Sequence, residues 1–190
     1  MVKNNVWLAM RHFITQEYCN DIYMGQQQYE ICNTNIKTNG LLERLEACTI
    51  FASPLKRSVQ TVEYITDSYT DINFNVVYLE QLMERGLGDF EGKYKESIKN
   101  DPNYFMDRKF IVTKTPPNGE SISNFRGRVE EAVKIMWDTF QEKDILVISH
   151  LQTMRMINFC MKGSFDYTAW HDINYSHGEV VQEGYGEKTE

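Results

Sequence analysis

The sequence predicts an α/β fold with a mostly parallel central sheet flanked by helices. Short apolar runs, typical of buried strands, alternate along the chain with segments whose apolar residues recur every three or four positions, as in helices. The chain has 190 residues, of which 42% are hydrophobic. That is enough for a sizeable core, so we predict a single domain over residues 1–190.

Five apolar runs are the predicted strands. The first, 6–10, reads Val-Trp-Leu-Ala-Met, and the fourth, 145–148, reads Ile-Leu-Val-Ile, as expected for strands buried on both faces. The others lie at 47–52, 76–79 and 179–182. Helical segments separate most of these runs, which favours parallel pairing.

Three helices are predicted between or after the strands. Ser53 and Pro54 predict a helix start, with Ser53 as N-cap and Pro54 as the first helical residue. A longer helix follows Ser121, and a third spans 151–161. The longer helix has a predicted apolar stripe made of Phe125, Val129, Ala132, Val133, Met136, Trp137 and Phe140.

Charge and composition exclude several function classes. The net charge of −7 disfavours a basic face for duplex nucleic acid and electrostatic binding to an anionic membrane. No apolar run reaches the length of a membrane span or a signal-peptide core. The four cysteines show neither zinc-site spacing nor a C-x-x-C motif, so we expect a reducing compartment, the cytoplasm, and no metal.

Polar side chains follow three of the predicted strands. Arg11-His12 follows the first strand, Ser53 and then Arg57 follow the second, and Ser149-His150 follows the fourth. Because the carboxyl ends of parallel strands meet at one edge of the sheet, we expect these side chains to converge there. Arginines and helix N-termini favour an anion, above all a phosphate.

The same residues indicate phosphoryl chemistry. A neutral histidine at such a site can attack a phosphoryl group and become phosphohistidine. Glu84 and Glu91 are candidate general acids. Buried structural histidines and surface arginines are the alternative interpretation.

Residues 92–120 have no clear period and predict an insertion or lid, or else a passive surface loop. The last residues, 183–190, look like a polar tail. The side chains that could line such a lid are Tyr94, Tyr104, Phe105, Arg108 and Lys109.

Five ordered motifs resemble those of the histidine phosphatase superfamily, which includes the cofactor-dependent phosphoglycerate mutases. Residues 8–15 (LAMRHFIT) resemble L-x-x-R-H-G-x-T, and residues 53–61 (SPLKRSVQT) resemble S-P-L-x-R-A-x-Q-T. Residues 84–92 (ERGLGDFEG) resemble E-R-x-x-G-x-x-E-G. Residues 117–121 (PNGES), followed by Arg128-Val129, resemble P-x-G-E-S…R-V, and residues 147–150 (VISH) resemble the late V-S-H-G.

The resemblance implies a three-layer, phosphoglycerate mutase-like fold and a metal-independent phosphomonoesterase of the histidine acid phosphatase type, without a cofactor. In that interpretation His12 is the nucleophile, Glu84 protonates the leaving oxygen, and a small phosphorylated metabolite is the substrate. The implied catalytic residues are His12, Glu84 and His150, and the implied phosphate-binding residues are Arg11, Arg57 and Thr15, with His150 assisting.

The chain departs from the family pattern at several positions. Phe13 and Leu151 replace glycines, Tyr18 stands where asparagine is frequent, and residues 26–32 replace the family's D-x-P-L-T region. We expect the Phe13 ring to narrow the pocket or to stack on a substrate. These departures keep a non-catalytic phosphate-binding module open as an alternative.

Two further alternatives are catalytic. The 27 residues between Gly92 and Glu120 are fewer than in the family's mutases, which favours hydrolysis over phosphoglycerate mutase-type transfer. A protein-phosphohistidine phosphatase is disfavoured by the predicted lid. A homodimer is left open.

The remaining basic residues receive no catalytic role. His171 and His177 are expected to be structural or exposed, and Arg155 structural. Arg85 could reach the pocket or pair at the surface.

Overall fold

The structure is a computed structural model that describes residues 5–102, 104 and 114–184. Its strands are β1 (Trp7–Arg11), β2 (Ala47–Ala52), β3 (Asn73–Tyr78), β4 (Ile145–Ser149) and β5 (Val180–Glu183). They form one sheet in the order β3-β2-β4-β1-β5. The first four are parallel, and β5 runs antiparallel to β1. The predicted mostly parallel sheet is confirmed.

Helices connect most of the strands. The α-helices are α1 (Gln16–Cys19), α2 (Lys56–Ser68), α3 (Ile122–Phe140) and α4 (Leu151–Lys162). Short 3₁₀ helices lie at Leu42–Arg44, Glu80–Leu82, Gly88–Phe90, Lys95–Ile98 and Tyr167–Ala169. No helix in this part of the chain has the length and apolar composition of a membrane span.

The sheet separates two apolar clusters, which gives the three layers. Trp7 and Ala9 of β1 pack in the cluster that contains the buried faces of α3 and α4, and Leu8 and Met10 pack in the cluster that contains α2. This alternation follows from the period of two along a strand. Since both faces of the inner strands are covered, β1 and β4 are buried throughout.

A predicted helix start agrees with the structure where the capping side chain binds the first turn of its own helix. Ser121 caps α3, since its side chain accepts a hydrogen bond from the backbone N of Asn124. The predicted Ser53 cap is wrong, because α2 begins at Lys56 and Leu55 occupies the cap position.

Three smaller expectations are also corrected. β3 begins at Asn73 rather than at 76, because its pairing with β2 begins three residues before the apolar run. Trp137 is 37% exposed and lies at the edge of the α3 stripe. The polar tail cannot begin at Glu183, which is the last residue of β5.

The predicted lid is described only in part. Phe105, Arg108 and Lys109 lie outside the described residues. Tyr94 is 59% exposed, and the Tyr104 hydroxyl is 3.3 Å from that of Tyr23. The role of 92–120 as a lid stays a prediction, as does the single domain over residues 1–190.

Candidate active site

Three parallel strands end at one edge of the sheet, and polar side chains gather there. β1 ends at Arg11 and is followed by His12, and β4 ends at Ser149 and is followed by His150. Arg57 lies in the first turn of α2, after β2. These side chains are buried, with residue exposures from 0% to 7%. The structure therefore brings together the strand-end residues that the sequence places at this edge.

Arg57 lies at the centre of the site. Its Nε donates to Nε2 of His12 at 3.3 Å and to Nδ1 of His150 at 3.2 Å. Its Nη1 and Nη2 donate to the carbonyl oxygens of Gln27 and Gly25, each at 2.8 Å. A guanidinium carries five N–H groups, so one N–H on each terminal nitrogen has no acceptor among the residues that the structure describes. Burial lowers the pKa of Arg57 to about 10, so it stays cationic at neutral pH.

The environment of His12 fixes its tautomer. Nδ1 is 2.6 Å from the carbonyl oxygen of Phe13, which only accepts hydrogen bonds, so Nδ1 carries the proton. Nε2 then holds the lone pair that accepts from Arg57. Burial, followed by the charge of Arg57, lowers the pKa of His12 well below its ordinary value. The imidazole is therefore neutral at pH 7, with its lone pair on Nε2.

His150 is held in the opposite tautomer. Its Nδ1 accepts from Arg57, so Nε2 carries the proton and donates to the Ser53 hydroxyl oxygen at 2.8 Å. The same oxygen accepts from the backbone N of Leu55 at 3.2 Å. Burial, then Arg57, lowers the pKa of His150 well below its usual value. Ser53 thus orients His150 and closes the turn before α2, which is why it does not cap the helix.

Glu84 reaches the site from the segment that follows β3 and the 3₁₀ helix Glu80–Leu82. Its Oε1 accepts from the backbone N of Arg85 at 2.9 Å and of Thr153 at 3.3 Å, and its Oε2 accepts from the backbone N of Gln152 at 3.3 Å. The carboxylate therefore lies at the N-terminus of α4, directly after His150. Its charge opposes the effect of burial on the pKa of Arg57, which reflects the proximity of the two groups.

An ion pair between Glu120 and Arg128, both in the P-x-G-E-S…R-V motif, fixes the backbone beside Glu84. Arg128 makes a two-point contact with the Glu120 carboxylate, at 2.6 Å from Nε and 2.8 Å from Nη2. Its Nη1 also donates to the carbonyl oxygens of Gln81 and Met83, both at 2.8 Å, and its Nη2 to that of Glu84 at 3.0 Å. The P-x-G-E-S…R-V motif therefore positions the backbone on both sides of Glu84.

Arg85 belongs to the same support. It is 0% exposed, and it donates to the carbonyl oxygens of Glu120 at 3.0 Å and of Lys114 at 3.3 Å. The sequence left two interpretations open, a pocket residue or a surface ion pair. The structure instead shows a buried side chain that binds backbone carbonyl oxygens.

Glu91, the second candidate acid, holds the loop that covers Arg57. Its Oε1 accepts from the backbone N of Gln26 at 3.0 Å and of Leu87 at 2.9 Å. Gly25 has φ +49°, and a Cβ there would lie 2.1 Å from that same oxygen. Glu91 and Gly25 together therefore place the two carbonyl groups that bind Arg57.

Thr15 has a different environment from the other predicted phosphate ligands. Its hydroxyl accepts from the backbone N of Tyr18 at 3.2 Å, which caps α1, and donates to Sδ of Met24 at 3.0 Å. The residue is 0% exposed. Since both contacts are within the protein, this geometry gives no support to a phosphate contact from Thr15, and that contact stays a prediction.

Arg11 presents an unused donor. Its Nη1 is 3.5 Å from the carbonyl oxygen of Tyr175, and its Cζ is 5.1 Å from the centre of the Tyr18 ring. Its buried Nε has no hydrogen-bond partner among the described residues.

Arg155, expected to be structural, donates from Nε to the carbonyl oxygen of Ile173 at 2.8 Å.

Neither substitution of a family glycine puts a side chain into the site. Phe13 is 1% exposed, packs in the α2 cluster and meets the Tyr64 ring edge-on at 5.1 Å. The expectation that its ring narrows the pocket is therefore wrong. Leu151 is the first residue of α4 and packs against the α3–α4 cluster.

His177 is the residue that sequence reasoning missed. The sequence predicts a structural or exposed residue, and the structure places its ring centre 5.0 Å from that of His12 and 4.4 Å from that of Tyr18. An antiparallel strand begins at the edge where its parallel neighbour ends, and His177 precedes β5. An antiparallel β5 would have predicted His177 at this edge, but the apolar pattern of the sequence does not show the direction of a strand.

The comparisons with known proteins agree with this architecture. The family model of the histidine phosphatase superfamily (branch 1) matches residues 24–189, a span that begins after Arg11 and His12. The mycobacterial glucosyl-3-phosphoglycerate phosphatase, solved in complex with VO3, superposes with a TM-score of 0.77 at 17% identity, covering 94% of this chain and 90% of that one. At this identity the likeness shows the fold.

Two curated relatives differ in activity. Fructose-2,6-bisphosphatase TIGAR B of Danio rerio is 30% identical over 103 residues, which are 54% of this chain but 39% of that protein. A phosphoglycerate mutase of Schizosaccharomyces pombe is 24% identical over 171 residues, covering 84% of this chain and 80% of that protein. The relatives thus include both a hydrolase and a mutase.

Proposed function

Because the chain belongs to the histidine phosphatase superfamily, we propose that it is a phosphatase that hydrolyses a small phosphomonoester through a phosphohistidine on His12. The named relatives support phosphoryl transfer as the chemistry. Hydrolysis, the covalent intermediate and independence from a metal are our proposal.

The observation that carries this proposal is the state of His12. A nitrogen nucleophile needs a free lone pair, and Nε2 has one because Nδ1–H is bound to the Phe13 carbonyl oxygen at 2.6 Å. Arg57 donates to that same Nε2 in the free protein at 3.3 Å. An incoming phosphoryl group can exchange with this long contact and take up the free N–H groups of Arg57 and Arg11.

The reaction then has two steps. In the first, His12 Nε2 forms a bond to phosphorus while the bond to the leaving oxygen breaks, and that oxygen takes a proton from Glu84, which enters this step as a protonated carboxyl group. In the second, water attacks phosphorus, Glu84 takes up the water's proton, and the P–N bond breaks to return neutral His12. Arg11 and Arg57 stabilise the charge on the three remaining phosphoryl oxygens, which is the role that a metal fills elsewhere. His150, whose only N–H is bound to Ser53, positions Arg57 through Nδ1.

Hydrolysis is favoured over the alternatives by two observations. The segment between Gly92 and Glu120 has 27 residues, which leaves less room for the mutase insertion. The binding-module alternative rested on Phe13 and Leu151, and both pack in apolar clusters.

The test is phosphate release from p-nitrophenyl phosphate in the presence of EDTA. His12→Asn keeps an amide donor where Nδ1–H lies but removes Nε2, so the rate should fall about 10³-fold or more. Wild type should also form an acid-labile, base-stable phosphoprotein that this variant lacks. His171→Asn, at a histidine outside the contacts described above, is the matched control.

Three results would overturn the proposal. An unchanged rate in His12→Asn excludes His12 as the nucleophile. Interconversion of 3- and 2-phosphoglycerate faster than phosphate release establishes the mutase alternative. Anion binding without turnover of any phosphomonoester establishes the binding module.

A further inference from the structure

His177 is the third histidine of this site, and none of the steps above uses it. The chain places it there through the backbone of β1, since the backbone N of Gly178 donates to the Arg11 carbonyl oxygen at 3.1 Å. Gly178 has φ +73°, and a Cβ there would lie 2.3 Å from the Asn35 carbonyl oxygen, so only glycine fits. The position of His177 is thus fixed by the fold.

The tautomer of His177 follows from one contact. Its Nδ1 is 3.0 Å from the His12 carbonyl oxygen, which only accepts, so Nδ1 carries the proton. Nε2 is then an acceptor, and it is buried without a hydrogen-bond partner among the described residues. The groups that face His177 are the neutral His12 ring, the Tyr18 ring and the charges of Arg11 and Arg57. Burial, then Arg11, lowers the pKa of His177 to about 4, so it is neutral at pH 8.

Arg11 supplies the complementary group. Arg11 is 7% exposed, and its Nε–H, like His177 Nε2, is buried without a hydrogen-bond partner in the described part of the chain. A neighbouring donor and acceptor, both buried and both unpaired, together suit a ligand group that accepts one hydrogen bond and donates another. A tetrahedral phosphoryl group with one P–OH offers both.

We propose that Arg11 Nε and His177 Nε2 bind the phosphoryl group together, with His177 accepting a hydrogen bond from a P–OH group. This inference rests on the proposed function, because it takes the phosphoryl group to occupy the site beside His12. It makes His177 a specificity-determining residue that selects protonated phosphoryl groups, such as HPO₄²⁻ or the monoanion of a phosphomonoester.

Sulfate is the matched probe for this selection. At pH 8 inorganic phosphate is mainly HPO₄²⁻, and sulfate has the same charge and the same tetrahedral shape, but sulfate has no hydrogen to donate. Bound sulfate would set an oxygen lone pair against the lone pair of His177 Nε2 and leave that buried acceptor unsatisfied. Such a group weakens binding by a factor of about 5 to 150.

The experiment measures phosphate and sulfate affinities of the whole protein at pH 8 by isothermal titration calorimetry. Wild type should bind phosphate about 5- to 150-fold more tightly than sulfate. His177→Asn keeps an amide donor to the His12 carbonyl oxygen and lacks Nε2, so its preference should fall to near one. His171→Asn should keep the wild-type preference.

A second variant guards against a folding defect. His177→Gln places an amide near the position of Nε2, and its N–H can donate to sulfate, so the preference should again be lost. A wild-type preference near one overturns the inference by itself, and so does a preference retained in both variants.

The outcomes also separate this inference from the proposed function. If wild type releases phosphate from p-nitrophenyl phosphate but does not discriminate between the two anions, only the role of His177 fails. If wild type binds neither anion and has no phosphatase activity, both fail.

Discussion

Lowering the pH from 8 to 5 should reduce the free energy of unfolding by at least about 2 kcal/mol, on account of three histidines. His12, His150 and His177 all have lowered pKa values in the folded protein, each with burial as the first cause. In the unfolded chain each titrates near its ordinary value of about 6.5. Below that pH the unfolded chain binds protons that the folded protein refuses, so stability falls as the pH falls.

The magnitude follows from linkage. A histidine that stays neutral in the folded state but titrates at about pH 6.5 when unfolded changes the unfolding free energy by about 2 kcal/mol between pH 8 and pH 5. His177, with a pKa of about 4, contributes nearly this full amount by pH 5. His12 and His150, whose pKa values burial also lowers, add to this loss, which is already a sizeable part of the stability of an ordinary domain, about 5–15 kcal/mol.

Urea unfolding followed by circular dichroism at pH 8, 7, 6 and 5 measures this loss. His177→Asn should show a loss smaller by about 2 kcal/mol, because asparagine does not titrate. A total change below about 2 kcal/mol in wild type would mean that the site histidines are not held neutral, and the tautomer assignments would fail with it.

Three substitutions test other parts of the site. Phe13→Ala should destabilise the fold by about 3–5 kcal/mol in urea unfolding and leave KM unchanged, whereas Phe13→Leu should do less; a changed KM with unchanged stability would return Phe13 to the pocket. Arg57→Lys should lower kcat about 10²- to 10³-fold, since an ammonium cannot contact both histidines and both carbonyls; a near-normal kcat contradicts its central role. Glu84→Gln should slow alkyl phosphate hydrolysis about 10²- to 10⁴-fold and p-nitrophenyl phosphate hydrolysis much less, and equal losses on both contradict its role as the acid.

The edge of the sheet that carries the candidate site could be predicted because it depends on the direction of the strands alone. β2 has the predicted bounds, 47–52, and β4 extends the predicted run by one residue. Once these strands are parallel, residues that follow them share one edge, however far apart they are in sequence. That is how Arg11, Arg57 and His150 could be grouped from the sequence.

The residues that escaped prediction depend on contacts between segments. Ser53 is a good helix cap by type, but its hydroxyl is bound to His150, 97 residues away. Phe13 occupies a glycine position, and whether its ring turns to the pocket or the core depends on the room beside Tyr64 and Gly178. Local propensity carries no information on either contact.

A protein with a net charge of −7 binds an anion only where it concentrates its cations, and the site shows how the acidic residues are used for that purpose. Glu91 holds the loop whose carbonyl groups bind Arg57, and Glu120 holds Arg128 beside the backbone of Glu84. Glu84 itself is bound at the start of α4. Two of these three carboxylates position other groups, so their loss should displace Arg57 or Glu84 rather than remove a reacting group. It follows that the acidic motif residues and the basic site residues form one structural unit, and that the overall negative charge does not weigh against a phosphorylated substrate.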